Sequence, residues 1–186
     1  MSAHEHSLAA ALPRAERIHE RAALEAAIAR MGAELGEAIG DTRAVFLTVM
    51  NGGMFFAASL ALAINRDLEF DYVHATRYGG ATVGREIQWR RRPSVRLAGR
   101  CVVLADDILD EGYTLAALRD YCVAEGAQRV LIAVLCVKRH DRRVPGLHAD
   151  FVGVEVPNRY VFGYGLDYFG QGRNLPDIHA LPEGET

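Results

Sequence analysis

Three stretches of the chain are apolar at almost every position: Ala44–Met50 (AVFLTVM), Cys101–Ala105 (CVVLA) and Arg129–Lys138 (RVLIAVLCVK). Short unbroken runs of this kind mark strands buried on both faces, as in a parallel sheet covered by helices. Leu68–Ala75 alternates well enough for a strand, Ala149–Val156 predicts a short one ended by Pro157, and Arg159–Gly163 a further strand or hairpin arm. Between them the apolar positions fall at helical spacing. Ile18, Leu24, Ile28, Met31, Leu35 and Ile39 predict one helix, or two broken at Gly32 and Gly36, within Arg14–Ile39, with Pro13 in its first turn. Met54–Ile64 predicts a second helix, and Leu115, Leu118, Tyr121 and Cys122 a third that ends near Gly126. Strands alternating with helices argue for the α/β class: a mainly parallel twisted sheet of about five strands, flanked by helices on both faces.

The chemistry collects where the apolar runs end. Asp106, Asp107 and Asp110 follow Cys101–Ala105 directly, then Glu111, Gly112, Tyr113 and Thr114 lead into a helix. In open parallel sheets ligands bind outside the carboxyl ends of the strands. A glycine there lets backbone amides turn toward an anion, and the helix N-terminus adds favourable partial charge. The acids can hold magnesium or the hydroxyls of a ribose, so the turn reads as a site for a phosphorylated sugar. The same residues also suit an exposed loop that caps the next helix, and residue types alone leave both open. Asn51, Gly52 and Gly53 form a second such turn, either a tight turn or a backbone cradle for a diphosphate. Lys138 ends the third run, once more at a strand's carboxyl end, where by itself it suits an edge lysine reaching solvent.

The stretch TRYGGATVGREIQW, with Gly79, Gly80 and Gly84, predicts a long loop. Trp89 with Arg90, Arg91 and Arg92 reads as a surface or subunit contact rather than a nucleic-acid patch, because the chain carries a net charge of −3. At 186 residues a single domain, 1–186, is the simplest organisation. Residues 1–12 read as a flexible arm. Met1–Leu12 lacks a basic start followed by a long apolar region, so no signal peptide is expected. No apolar run approaches a membrane span. Cys101, Cys122 and Cys136 are odd in number and lack CxxC spacing, which predicts free thiols and a cytoplasmic location.

LADDILDEGYTL (Leu104–Leu115) resembles the phosphoribosyl pyrophosphate signature of the type I phosphoribosyltransferases at all positions but one. PNRYVFGYGLDYFGQGRNLPDI (Pro157–Ile178) is similar to the hypoxanthine-guanine members in particular. The likeness runs from about Ala44 to Ile178. It implies the fold of that family, with a small hood from about 14–39 and 150–186. It also implies a purine-salvage transferase that joins hypoxanthine and/or guanine to phosphoribosyl pyrophosphate, giving the mononucleotide and pyrophosphate with Mg2+ as cofactor. A xanthine-preferring enzyme and a nucleotide-sensing regulator on the same fold are the alternatives. No nucleic-acid or membrane partner is implied, and such enzymes usually form homodimers or homotetramers.

The resemblance also implies roles for individual residues. Asp110 is the general base at purine N7. Asp106, Asp107, Glu111, Gly112, Tyr113 and Thr114 hold the ribose and its 5′-phosphate. Asn51, Gly52, Tyr78 and Arg173 hold the pyrophosphate, with a cis peptide at Met50–Asn51 and a mobile loop that begins near Tyr78. Lys138, Tyr160 and Val161 read the purine, and Asp167, Asp106 and Asp107 hold the metal. The chain departs from the family pattern at four places: Asp106 for a common Glu, Asn51 for a frequent Lys, Arg77 for a Ser, and Glu111 where a small Thr or Ser usually helps bind the phosphate.

Overall fold

The structure, a computed structural model, describes residues 7–77 and 87–185. In chain order the elements are α1 (Leu8–Ala11), β1 (Glu16–His19), α2 (Arg21–Ile39), β2 (Ala44–Met50), α3 (Met54–Ala63) and β3 (Leu68–Arg77). They continue with β4 (Ile87–Arg91), β5 (Cys101–Leu109), α4 (Tyr113–Ala124), β6 (Arg129–Lys138), β7 (Phe151–Val156), β8 (Val161–Phe162) and β9 (Ile178–Ala180). The main sheet has six strands in the order β4-β3-β2-β5-β6-β7. All neighbours are parallel except the edge pair β3–β4.

The apolar runs take the centre of this sheet because both their faces are covered. Phe46, Val103, Ala105, Leu131 and Leu135 pack with α2 and α3 on one side. Val45, Leu47, Val102, Leu104 and Ile132 pack with Leu115, Leu118 and Cys122 of α4 on the other. Alternate residues of one strand thus serve two cores, and burial of that apolar area is the main force holding the layers together.

The strand order places the site. From β2 the chain proceeds to β3 on one side, while β5, β6 and β7 lie on the other. Such a switch point opens a crevice at the strand tips. The register shows how. Pairing of β5 with β2 stops at Thr48–Ala105, whereas pairing with β6 continues to Leu109–Val137. Beyond Ala105 one edge of β5 is therefore without a neighbouring strand, and Asp106 and Asp107 lie along that open edge.

Several expectations are corrected. The sheet has six strands rather than about five, because Ile87–Arg91, expected in the long loop, pairs antiparallel with β3. That edge strand is anchored by Trp89, whose ring lies 4.7 Å from Tyr121 of α4. Residues 78–86 of the loop, including Tyr78, lie outside the described residues. β5 runs on through the acidic residues to Leu109 instead of ending at Ala105. The segment before α2 is not helical throughout: Glu16–His19 is a strand paired with β9. Leu8–Ala11, part of the expected loose arm, is helical, and Ala11 packs fully buried with Phe162, Tyr168 and Leu181. The small sheet β1-β9-β8 meets the strand tips through Val161 of β8, which lines a recess with Asp110 and Lys138. Helix α2 and strand β7, expected in the hood, belong to the main layers because their apolar faces are needed there.

Candidate active site

Three strand tips and one returning loop converge at the crevice. The tip of β2 contributes Asn51 and Gly52 after a cis Met50–Asn51 peptide, as the resemblance implied. A side chain at Gly52 would collide with the Asp107 carboxylate, and one at Gly165 would collide with the Gly52 carbonyl. Gly52 lets the acidic tip's side chain, and Gly165 the Gly52 backbone, approach closely, and so they join the first strand tip, the acidic tip and the 163–173 loop.

The tip of β5 carries the adjacent acids. Burial, reinforced by the neighbouring Asp107 charge, pushes the Asp106 carboxyl well above the usual carboxylate range. Burial also pushes Asp107 up, opposed by its hydrogen bond with Asp106 and by the charge of Arg173. The Asp107 amide donates to Asp106 Oδ1 at 2.9 Å. Gly112 then adopts φ +86°, a left-handed conformation that a glycine takes without steric penalty, and starts α4. Among the described residues no side chain forms a cap hydrogen bond at Gly112, and the first turn, Tyr113 to Leu115, lines the cavity. The Glu111 departure has a partner: Arg142 Nε lies 3.9 Å from Glu111 Oε1, and both line the cavity.

The 163–173 loop folds back on itself, with the Gly165 amide donating to the Arg173 carbonyl at 2.8 Å. Arg173 Nη2 pairs with Asp167 Oδ1 at 2.7 Å, and Nη1 donates to the Gly165 carbonyl at 2.6 Å. Asp167 Oδ2 accepts from the Gly170 amide at 2.7 Å. Together with the acidic tip, Asn51, Gly52, Asp167 and Arg173 line a cavity of about 690 Å³.

A second, smaller recess of about 210 Å³ adjoins it and shares Asp107, Ile108, Asp110 and Asp167 with it. Its other walls are Lys138, Tyr160, Val161 and Leu166. Lys138 Nζ donates to Asp110 Oδ2 at 2.6 Å. Burial raises the Asp110 carboxyl, but its hydrogen bonds with Lys138 and His140, together with the Lys138 charge, outweigh it and hold the group below its ordinary value. Tyr160 donates its hydroxyl to the Asp167 carbonyl at 3.1 Å, and its ring lies nearly parallel to Phe169, 5.7 Å between centroids.

Of the residues given a role from the sequence, every one that lies among the described residues lines one or both of these spaces. Three side chains here were missed. His140 and Arg142 lie in a stretch that reads only as a polar loop, although a histidine two residues beyond Lys138 was a visible signal. Phe169 left no sequence signal of its own, because a tight turn with φ +48° at that residue places it against Tyr160.

A mostly parallel sheet with an acidic strand tip, a cis peptide on the neighbouring tip and a returning Asp–Arg loop defines an α/β protein with a polar cavity across its strand ends. Residues 14–168 match the phosphoribosyl transferase domain, and the chain belongs to that family. It is 36% identical to the hypoxanthine-guanine phosphoribosyltransferase of Bacillus subtilis over 155 residues, which cover 83% of this chain and 86% of that protein. The hypoxanthine-guanine phosphoribosyltransferase of Aquifex aeolicus is 32% identical, over 75% of this chain and 78% of its own length. Among solved structures, a Staphylococcus aureus hypoxanthine phosphoribosyltransferase superposes with a TM-score of 0.85 at 27% identity, covering 90% of this chain and 91% of that one.

Proposed function

We propose that the protein is a purine-salvage phosphoribosyltransferase that converts hypoxanthine and/or guanine, with phosphoribosyl pyrophosphate, to the purine 5′-mononucleotide and pyrophosphate. The observation that carries this reading is the junction of the two spaces. A recess bearing an aromatic ring, a lysine and a carboxylate shares a wall with a polar cavity bearing two further acids, a helix start and an arginine.

The recess suits an oxo-purine. Lys138 donates to the exocyclic oxygen, Tyr160 offers its ring, and the Val161 backbone meets the base edge. An amino group in place of that oxygen would set donor against donor. Asp110 takes the proton from N7 as the base attacks the anomeric carbon, and its placement beside Lys138 brings it within reach of the ring. Asp106 and Asp107 bind the ribose hydroxyls and supply a negative field as positive charge develops on the sugar. Backbone amides from Glu111 to Thr114, with the Thr114 hydroxyl, hold the 5′-phosphate, and Arg142 balances the Glu111 carboxylate beside it. Asn51 and Gly52, through their backbone, and Arg173 hold the diphosphate. Tyr78 would join them from the neighbouring loop.

The donor set fits magnesium. Asp106 and Asp107 are adjacent carboxylates raised by burial, and Asp106 further by the charge of its neighbour; neither forms a salt bridge with a side chain among the described residues. Asp167 lines the same cavity, paired with Arg173. No closed cage of three or more ligands is present among the described residues, which suits an ion that takes one or two carboxylates and fills its remaining positions with water and substrate phosphates. When bound there the ion would neutralise charge on the departing diphosphate.

We further propose a homodimer or homotetramer in the cytoplasm. The exposed Phe70 and Tyr72, on one face of β3, support a subunit contact. Among the described residues no helix is long and apolar enough to cross a membrane, and three free cysteines suit a reducing compartment. The test of activity is pyrophosphate release with hypoxanthine, guanine, xanthine and adenine in parallel. Turnover with hypoxanthine or guanine well above the other two is expected. Release with none of the four bases would refute the transferase reading, and preference for xanthine or adenine would refute the specificity.

A further inference from the structure

His140 stands just past the tip of β6, and nothing so far gives it a task. Its side chain is 2% exposed, and it does not line either cavity. Its Nε2 lies 2.7 Å from Asp110 Oδ1. Its Nδ1 lies 3.1 Å from the backbone nitrogen of Arg142. A backbone N–H can only donate, so Nδ1 must be the acceptor and the ring proton must sit on Nε2. The tautomer is thereby set by the turn that follows β6, and Nε2–H is left to donate to the carboxylate.

We propose that His140 is a positioning residue for Asp110: a neutral imidazole, fixed by the Arg142 amide, that clamps one carboxylate oxygen and leaves the other for the purine. The inference rests on the reading of Asp110 as the base. The two oxygens of Asp110 then have different partners with different duties. Oδ2 is held by Lys138 Nζ, the tip of a flexible chain that lines the base recess. An oxo-purine offers Lys138 a competing acceptor, and as Lys138 turns to it Oδ2 becomes available to the N7 proton. Oδ1 stays clamped through that exchange, so the carboxylate keeps its plane when its cation moves away.

The chemistry explains why a histidine serves. A second lysine or an arginine on Oδ1 would hold the orientation but would also stabilise the carboxylate by a full charge and weaken it as a base. A neutral N–H orients with a smaller loss of basicity. His140 cannot itself receive the proton, because Nε2 already carries one and Nδ1 is occupied by the Arg142 amide. Asp110 remains the proton's destination.

The test compares wild type, His140→Ala and His140→Gln, the last because its amide N–H can donate from a similar distance. With loss of alignment at the reacting atom, kcat is expected to fall roughly 10-fold or more in His140→Ala. KM for phosphoribosyl pyrophosphate should stay near the wild-type value, and His140→Gln should recover most of the lost kcat. Nitrogen-15 NMR of labelled imidazole in the wild-type protein should show the proton on Nε2 and an acceptor at Nδ1. A proton on Nδ1 overturns the inference, whether or not the variants fold. So does an unchanged kcat in His140→Ala, or a folded His140→Gln no better than His140→Ala. An inactive wild type would instead count against the transferase reading, and the NMR result would still decide the clamp.

Discussion

Lys138 Nζ and Asp110 Oδ2 are in contact at 2.6 Å across the mouth of the base recess. The group that would read the purine and the group that would deprotonate it thus neutralise each other. The pair keeps two partly buried opposite charges from standing alone, which would be costly. It also means that an entering base must separate them, and only a base offering both an acceptor for Lys138 and a proton for Asp110 replaces what is lost.

Removing the proton acceptor isolates the chemical step. Asp110→Asn keeps the shape and can still bond to Lys138 or His140, but it cannot accept the N7 proton. Turnover should fall roughly 10²-fold or more while nucleotide binding is largely preserved. Steady-state kinetics alongside calorimetric titration with the mononucleotide product checks this; unchanged turnover would remove Asp110 from the role.

Removing the cation probes recognition. In Lys138→Gln the charge-assisted bond to the oxo group is replaced by a neutral one. A loss of about 1.5–3 kcal/mol, roughly 10–100-fold, in kcat/KM for hypoxanthine and guanine is expected. Asp110 also loses the largest influence that lowers its carboxyl, so its value should move up toward the ordinary range. A variant with wild-type kcat/KM would show that Lys138 does not face the base.

The acid pair sets function against stability. Asp106 is raised in the folded protein, so at neutral pH its ionised form costs the native state stability that the unfolded chain does not lose. Asp106→Asn keeps an acceptor for the Asp107 amide and removes one of two repelling charges. Its thermal midpoint should rise, by about 2–4 °C for each 1 kcal/mol gained, while affinity for phosphoribosyl pyrophosphate with magnesium should drop. Scanning calorimetry and a binding titration on the same samples would expose an error in either half.

Asp71 makes the opposite prediction. It anchors the edge of the sheet: Arg91 Nη1 lies 2.7 Å from Oδ1, and the Ser94 amide and hydroxyl donate to Oδ2 at 2.6 and 2.9 Å. Burial raises its carboxyl, but these bonds outweigh burial and hold it well below the usual carboxylate range. A depressed folded value stabilises the protein above the ordinary carboxylate pKa and is lost as pH falls through the folded value. Asp71→Asn should therefore lower stability at neutral pH by about 1–3 kcal/mol. The gap to wild type should narrow in strong acid, as urea unfolding at both pH values would measure; a gap that widens in acid would contradict the assignment.

Much of this protein was legible along the chain. Unbroken apolar runs can be buried only on both faces, so β2, β5 and β6 and their covering helices followed from pattern alone. The acids after Ala105, the glycines after Asn51 and the lysine at the end of β6 marked the strand tips, because residue type and position relative to a strand end are both local facts. Tertiary structure alone decided what those tips do together. The strand order opened the edge of β5 beside Asp106. The antiparallel pairing of Ile87–Arg91 turned an expected loop into an edge strand. The placement of His140 and Phe169 depends on turns whose neighbours lie 30 and 9 residues away. A sequence records which groups are available, whereas the distance between Asp110 and its two partners is set by strand pairing and packing, which no local window contains.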